Sequence, residues 1–498
     1  MTKCIKLFDY ETLNEPNIFE EGGGDNKDFI IQAFGSDKNG KSYCLYINNF
    51  RPFFYVKVDD TWNINKKEQF LQYIIERVST YKNNYYKNSI LECKLVKKKK
   101  LYGFDAGKTY KFIYFKFKNI IIFNKVKNLW FEYVVNKNNE TKKVLNEMEF
   151  MGTKVKIYES SIPPLLRFFH LKHISPSGWI KFQENKVEKS FPKKTTCDYE
   201  YIMDKEKITS LNKKEETIPL KICSFDIEAS SSHGDFPVPI KNYKKLADNI
   251  LEYWHYNNVS EESREDQAIH FRKIIKSAFN VTTPLDFIAQ VYPKKSITKK
   301  ELNEKTEKCL NKPMKELNKS SLGIETENLK VTEWCLEQEN IAEQSQEGVN
   351  KNYNKHKSYL KNKITILDLL NDTKFKRDDK VTQITRTLDI IFPRLEGDKV
   401  TFIGSTFWKY GDNSPYLNHC IVLGESSPIE NVVIENKPTE KKALLAWTKL
   451  IQKENPDIIV GYNTFGFDYM FMFNRAKELE TLHDFLKLSK NKNEICGK

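Results

Sequence analysis

The sequence predicts a mixed α/β protein (α+β overall), with a β-rich N-terminal domain over residues 1–215 and a sheet-and-helix domain over residues 216–498. Three observations carry that expectation. The first half contains runs that alternate Lys with aromatics, as in "KTYKFIYFKFKN" (Lys108–Asn119), the pattern of half-exposed strands. The second half opens on the apolar run "PLKICSFDIEAS" and later reads as several strands, a helix, a strand and a helix. Hydrophobic residues at 39%, with 33 Phe and 25 Tyr in 498 residues, supply enough apolar surface for more than one core.

In the first domain, "FIIQAFG" and "KSYCLYINNF" flank a turn at Asp37–Gly40, whose Asn-Gly step suits the positive φ of a hairpin. "RPFFYVKV" (Arg51–Val58) continues as a strand, and "KEQFLQYIIERVSTY" has the apolar spacing of a helix. "PPLLRFFHLKHISPSGWIKF" (Pro163–Phe182) sets two apolar stretches about a Ser-Pro-Ser-Gly turn. A lysine-rich linker is expected from there to about Pro219.

In the second domain, the polar stretch at about 261–380 reads as a surface insertion, with helical character in "AIHFRKIIKSAF" and "ENLKVTEWCLEQENIAEQ". Beyond it, "KVTQITRTLDIIF", "KVTFIGSTFWKYGD", "LNHCIVLGES" and "NVVIEN" read as strands. "PTEKKALLAWTKLIQKENP" is an amphipathic helix starting at Thr439 or Pro438, with Pro456 just past its end. "DIIVGYN" reads as a buried apolar strand and "FDYMFMFNRAKELE" as a second helix.

Charge and cysteine usage narrow the class. Lys+Arg exceed Asp+Glu by 81 to 67, giving +14, and a basic surplus points to a polyanion partner, nucleic acid first. A Lys- and Asn-rich composition of AT-rich coding would produce the same surplus. The run Lys97–Lys100 reads either as a phosphate contact or as a solvated loop. The nine Cys form no C-x-x-C pair, which argues against zinc ribbons and a secreted disulfide scaffold. The start "MTKCIKLFDYETLNEPN" has no signal-peptide core, and no apolar run reaches membrane-spanning length. The expectation is a reduced, intracellular, soluble protein without a membrane partner.

Two constellations carry chemistry. On a strand, residues two apart share a face, so Asp226 and Glu228 would project together while Phe225 and Ile227 pack behind them. Such a carboxylate pair is a platform for Mg²⁺, or simply an exposed acidic pair at a strand end. In "VGYNTFGFDYM" (Val460–Met470) a strand runs through Tyr462 and Asn463 into a short turn, and Phe467-Asp468 opens a helix. Asp468 would serve as a first-turn acid favoured by the helix dipole, or as a third carboxylate joining the first pair at the mouth of the sheet. Three such acids make a two-cation site for hydrolysis of a phosphodiester.

"FDIE" followed by "YNTFGFD" resembles the first two motifs of the proofreading 3′–5′ exonuclease of family B DNA polymerases. "GKSYCLYINNFRPFFYV" and "PPLLRFFHLKHISPSGWI" are similar to the N-terminal domain of the delta-type members, and "HGDFPVPIKNYKKLADNI" to the versions of nucleocytoplasmic large (giant) DNA viruses. The resemblance implies an RNase H-like exonuclease domain behind a β-rich N-terminal domain. It implies Asp226, Glu228 and Asp468 as catalytic metal ligands, holding two Mg²⁺ ions with Mn²⁺ as the alternative. It implies Tyr462, Asn463 and Phe467 at the frayed single-stranded 3′ end of a DNA primer.

The family's third motif, Tyr-x-x-x-Asp, is not found: beyond Asp468 the one Asp is Asp484, and position 480 is Glu. The expectation is therefore the N-terminal part of a viral replicative polymerase, its exonuclease domain stopping before the third motif. A second chain or a missing C-terminal part would supply that motif and the polymerase site, with a sliding clamp as a further partner. The resemblance implies work inside a host cell, in a cytoplasmic viral factory or the nucleus. A non-catalytic nucleic-acid-binding module and a standalone 3′–5′ exonuclease remain the alternatives.

Overall fold

The structure is a computed structural model. It describes residues 1–16, 27–79, 88–100, 105–135, 141–146, 148–232, 234–311, 313 and 364–497. The chain divides into two compact units, one of Met1–Leu220 with Lys409–Gly411 and Lys490–Glu494, the other of Lys221–Trp408 with Asp412–Ser489 and Ile495–Lys498.

The first unit begins with β1 (Thr2–Pro16), β2 (Lys27–Ser36), β3 (Ser42–Asn48), β4 (Phe53–Lys57) and α1 (Ile64–Val78). It continues with β5 (Ile90–Lys99), β6 (Thr109–Phe117), α2 (Ile120–Asn128), β7 (Phe131–Val135), β8 (Thr141–Leu145), β9 (Met148–Phe150) and β10 (Thr153–Tyr158). Then come α3 (Pro164–Lys172), β11 (Trp179–Gln183), β12 (Glu188–Lys189), β13 (Tyr199–Asp204) and β14 (Thr209–Ser210). One sheet has the order β12-β13-β3-β2-β1-β11-β14, the other β5-β6-β4-β10-β9. The expected β2–β3 hairpin is present, and Gly40 in its turn has φ 78°. In the first sheet Leu7, Ile31, Leu45 and Ile47 pack on Phe168 and Phe169 of α3.

Two readings of this unit change. The stretch before Pro219 is not a linker. β13 pairs in parallel with β3, and Tyr201, Ile202 and Met203 are buried. Lysines on either side, and Glu200 and Asp204 within it, hide a six-residue strand that only long-range pairing reveals. Lys97–Lys99 are likewise strand residues, at the end of β5 rather than in a loop.

The second unit begins with β15 (Lys221–Ser230), α4 (Lys244–Tyr256), α5 (Arg264–Ala278), α6 (Lys299–Asn311), α7 (Ile366–Asn371) and α8 (Arg377–Ile391). It continues with β16 (Lys399–Lys409), β17 (Leu417–Leu423), β18 (Val433–Lys437), α9 (Glu440–Glu454), β19 (Ile458–Val460), α10 (Asp468–Glu478) and α11 (Leu482–Phe485). Its sheet runs β18-β17-β16-β15-β19, with β16 antiparallel to β17 and β19 parallel to β15 across the α9 crossover. This is the mixed sheet of an RNase H-like domain, and Phe225, Ile227, Trp447, Phe471 and Met472 fill the core between sheet and helices. Thr439 caps α9 through its side chain, as its position predicts.

Helices α4 to α8 have a core of their own, centred on Trp254, Phe271, Ile274, Ile366 and Leu388. "AIHFRKIIKSAF" is in α5, while "ENLKVTEWCLEQENIAEQ" lies outside the described residues. "KVTQITRTLDIIF" is helix α8, not a strand. Its β-branched residues suggest a strand, but Val381, Ile384, Thr385, Leu388 and Ile391 recur at helical spacing and are buried on one face. "DIIVGYN" yields a three-residue edge strand with Ile458 39% and Val460 44% exposed, so it is not buried. β19 stands, among the described residues, at the sheet edge with a strand neighbour on one side only. Among the described residues, no helix is long and apolar enough to cross a membrane, and none of the eight described cysteines is in a disulfide.

Candidate active site

β15 alternates cleanly. Cys223, Phe225 and Ile227 are buried against the helices, and Ser224, Asp226 and Glu228 are exposed on the opposite face. Phe225 anchors that register by packing on Trp447 of α9 (ring centroids 4.9 Å) and Tyr469 of α10 (5.2 Å). The β16 side chain Thr401 donates a 3.0 Å hydrogen bond to the Glu228 carbonyl, tying the end of the strand to its neighbour.

Asp468 arrives from the far end of the domain through a tight turn. β19 pairs with β15 from Ile222↔Ile458 to Ser224↔Val460, and the chain then turns at Gly461. A Cβ on Gly461 would stand 2.7 Å from the Phe225 carbonyl oxygen and 2.3 Å from Thr464 Cγ2, so this close approach requires glycine. Asn463 has φ 53°, and its carbonyl accepts hydrogen bonds from the Gly466 and Phe467 amides, both at 3.0 Å. That geometry ends the turn and starts α10 at Asp468.

The carboxylate of Asp468 is 1% exposed and accepts a 3.2 Å hydrogen bond from the Ile227 amide. The same N–H donates to Asp226 Oδ1 at 3.1 Å. Burial, and then the negative charge of Asp226, push the Asp468 carboxyl up to about 6, although the Ile227 hydrogen bond pulls the other way. A buried acid held beside a second acid is the condition that a cation relieves.

The three acids expected at the site are therefore distributed as a joined pair, Asp226 with Asp468, and Glu228 on the same strand face as Asp226. No group of three or more His, Cys, Asp or Glu stands close enough to form a closed metal cluster among the described residues. The donor set fits a hard divalent cation that keeps much of its water, because all three ligands offer carboxylate oxygens and two of them, Asp226 and Glu228, are open to solvent. Asp484 of α11 is engaged elsewhere: its exposed side chain pairs with Lys487 at 2.8 Å, which holds its carboxyl below the usual range.

Aromatic rings surround the turn. Tyr462 is 96% exposed, and Phe467 is half-buried, edge-on to Phe236 at 5.7 Å and near Phe471 at 5.4 Å. Phe236 and Phe465, 76% and 57% exposed, were not among the expected site residues. The sequence did carry a signal for Phe236, a Phe set between Asp and Pro in the loop that follows the acidic strand. Asn463 is brought to the same turn, where its side chain fills the space a Cβ on Gly466 would need.

Behind the site, Arg475 of α10 is fully buried. It makes a bidentate pair with Glu440 of α9 (2.9 and 2.7 Å), a second pair with Glu478 (2.6 Å) and a bond to the Pro239 carbonyl (3.1 Å). Glu440 also accepts from the Val400 amide of β16 at 2.9 Å. This network fixes α10, and with it Asp468, to the sheet.

The family model for the exonuclease domain of family B DNA polymerases matches residues 155–309 and 325–496. The DNA polymerase of Phaeocystis pouchetii virus is 38% identical over 519 residues, covering 99% of this chain and 49% of that protein. The DNA polymerase of Pyramimonas orientalis virus is 28% identical, over 96% of this chain and 36% of that protein. The DNA polymerase delta catalytic subunit of Candida albicans is 35% identical over 108 residues, 21% of this chain and 10% of that protein. The chain thus spans about half the length of the first of these relatives and about a third of the second. With the exonuclease model matched over most of its residues, the chain belongs to the family B DNA polymerases.

Proposed function

We propose that this chain is the N-terminal part of a DNA-directed DNA polymerase for viral DNA replication and that it carries its proofreading 3′–5′ exonuclease site. The observation that supports this most is the meeting of Asp226 and Asp468 on one backbone amide, within an RNase H-like sheet of a family B member. Asp226, Glu228 and Asp468 would hold divalent cations, Mg²⁺ by preference and Mn²⁺ as the alternative. When bound, such cations lower the pKa of a water and offset the charge on a phosphodiester.

The remaining tasks fall to the chain's own side chains. Tyr462 and Phe467, with Phe236 beside them, offer ring faces on which the unpaired bases of a frayed 3′ end stack. Asn463 holds the turn that presents them. The buried Ile227 amide holds the two Asp carboxylates together, so that they face the scissile phosphate as a unit.

We further propose that the Tyr-x-x-x-Asp motif and the synthesis site lie in the portion of the relatives that this chain does not span, on a continuation or a second chain. The reading places the protein in the replication machinery of an infected cell. The test is removal of the 3′ nucleotide from a frayed primer with Mg²⁺. The chain alone should show little activity, and supplying the complementary portion should raise it. That gain should vanish in Asp226→Asn. Cleavage by the chain alone that survives Asp226→Asn would overturn the assignment.

A further inference from the structure

β15 leads into α4 through a loop that includes residues 234–242 and carries Phe236, the ring edge-on to Phe467 of the active-site turn. This loop has no apolar anchor of its own. No side chain from 234 to 242 is buried, and Phe236, Val238 and Ile240 are 76%, 42% and 52% exposed. A cavity of about 400 Å³ opens beside it, lined by Phe236, Val238, Ile240, Leu246, Val291 and Tyr292. A segment with so few buried apolar contacts is held in place by its polar ones.

Those polar contacts converge on Asp398, the residue that directly precedes β16. Its side chain is 3% exposed. One carboxylate oxygen accepts from the Val238 amide at 2.9 Å, and the other accepts from the Lys241 ammonium. The Asp398 amide in turn donates to the Val238 carbonyl at 2.9 Å. Both backbone groups of Val238, two residues from Phe236, are therefore gripped by one residue.

The grip is anchored on a rigid element. β16 pairs with β17, and the Val400 amide and the Thr401 hydroxyl tie its start to Glu440 and to the Glu228 carbonyl. Arg475 adds a bond to the next carbonyl of the loop, Pro239, but it also fixes α10. Among the described residues, both side-chain hydrogen bonds of Asp398 go to this loop. A ring held in place before a base arrives loses less freedom on stacking than a mobile one.

We propose that Asp398 is a positioning residue of the candidate active site. By gripping Val238 it holds Phe236 beside Phe467, where the ring meets the unpaired base of a frayed 3′ end. This role rests on the exonuclease reading of the site and adds to it a residue that touches neither the acids' shared amide nor the aromatic turn.

The test measures binding of the full chain, without divalent cation, to a primer with a mispaired 3′ end. The terminal base is a fluorescent purine analogue whose emission falls on stacking. Phe236→Ala should weaken binding about tenfold and relieve the quenching. Two paired variants then isolate the grip, because both lack the Lys241–Asp398 ion pair and leave no buried charge behind. Lys241→Met with Asp398→Ala should weaken binding about tenfold and relieve the quenching although Phe236 is intact. Lys241→Met with Asp398→Asn keeps an acceptor for the Val238 amide and should bind and quench like the parent. Adding Phe236→Ala to the Lys241→Met, Asp398→Ala pair should cost nothing further, since grip and ring act as one. Parental binding in that pair while Phe236→Ala is weakened, or equal weakening in the Ala and Asn pairs, would overturn the role of Asp398 and leave the exonuclease reading standing. Parental binding in Phe236→Ala would overturn this role together with the stacking it serves.

Discussion

Asp226 and Asp468, far apart in the sequence, are held by a single donor: the Ile227 amide stands 3.1 Å from Asp226 Oδ1 and 3.2 Å from Asp468 Oδ1. Asp226 is exposed and Asp468 buried, so the pair has one member open to solvent and one shielded from it. Two carboxylates this close cannot both be charged without cost, and the cost appears on the buried one.

The first prediction concerns pH. The Asp468 carboxyl is raised from 3.8 to about 6, so the folded chain holds this proton more firmly than the unfolded chain. The resulting stability is fully present below about 3.8 and is lost as pH rises to about 6. Without divalent cation, unfolding of the second unit should therefore grow easier across that window, by on the order of 2–3 kcal/mol. Asp468→Asn should flatten this part of the profile, as read by denaturant melts at several pH values. Added Mg²⁺ or Mn²⁺ should stabilise the parent more above this window than below it.

Arg475 gives a purely structural prediction. It is fully buried, and its charge is balanced by Glu440 and Glu478. Arg475→Met leaves Glu440 buried with its cation gone and should cost about 3–5 kcal/mol. Thermal melts would show it, and the β-rich first unit should keep its own transition. Arg475→Met combined with Glu440→Gln should recover part of the loss.

Gly461 sets the reach of the turn. Because a Cβ there meets the Phe225 carbonyl at 2.7 Å, Gly461→Ala must push β19 away from β15. We expect more than about 1 kcal/mol of destabilisation and weaker divalent-cation binding, since the same movement carries Asp468 off Ile227. Calorimetric titration with Mn²⁺ checks the second effect separately from the first.

The exposed rings give a prediction on binding with little effect on stability. Phe236→Ala and Tyr462→Ala remove side chains that are 76% and 96% exposed, so melting should change by no more than about 0.5 kcal/mol. Retention of a frayed primer end should weaken by about 1–3 kcal/mol for each stacking face removed. Fluorescence anisotropy with a mispaired primer would read this.

What was legible in the sequence follows the range of the interactions involved. The face-sharing of Asp226 and Glu228 and the helix that opens at Asp468 are local facts of spacing and turn chemistry, and they read directly. So did the hairpin at Gly40 and the cap at Thr439. The stretch Val381–Ile391 misled because β-branched residues weighed more than their helical spacing, which packing against α4 and α6 decided. β13 was hidden because its partner β3 lies some 150 residues away, and parallel pairing leaves no local mark. The exposure of β19 follows from its place at the sheet edge, which three apolar residues in a row do not reveal. Arg475 with Glu440 was invisible for the same reason: a charged pair on two amphipathic helices looks solvated until both faces meet.

The most direct test of the central claim is a titration of the chain with Mn²⁺ at neutral pH, followed by electron paramagnetic resonance. Asp226, Glu228 and Asp468 as a cation site predict bound Mn²⁺ in the parent, and its loss in both Asp226→Asn and Asp468→Asn while each variant remains folded. Mn²⁺ bound equally well by the parent and both variants would contradict the account.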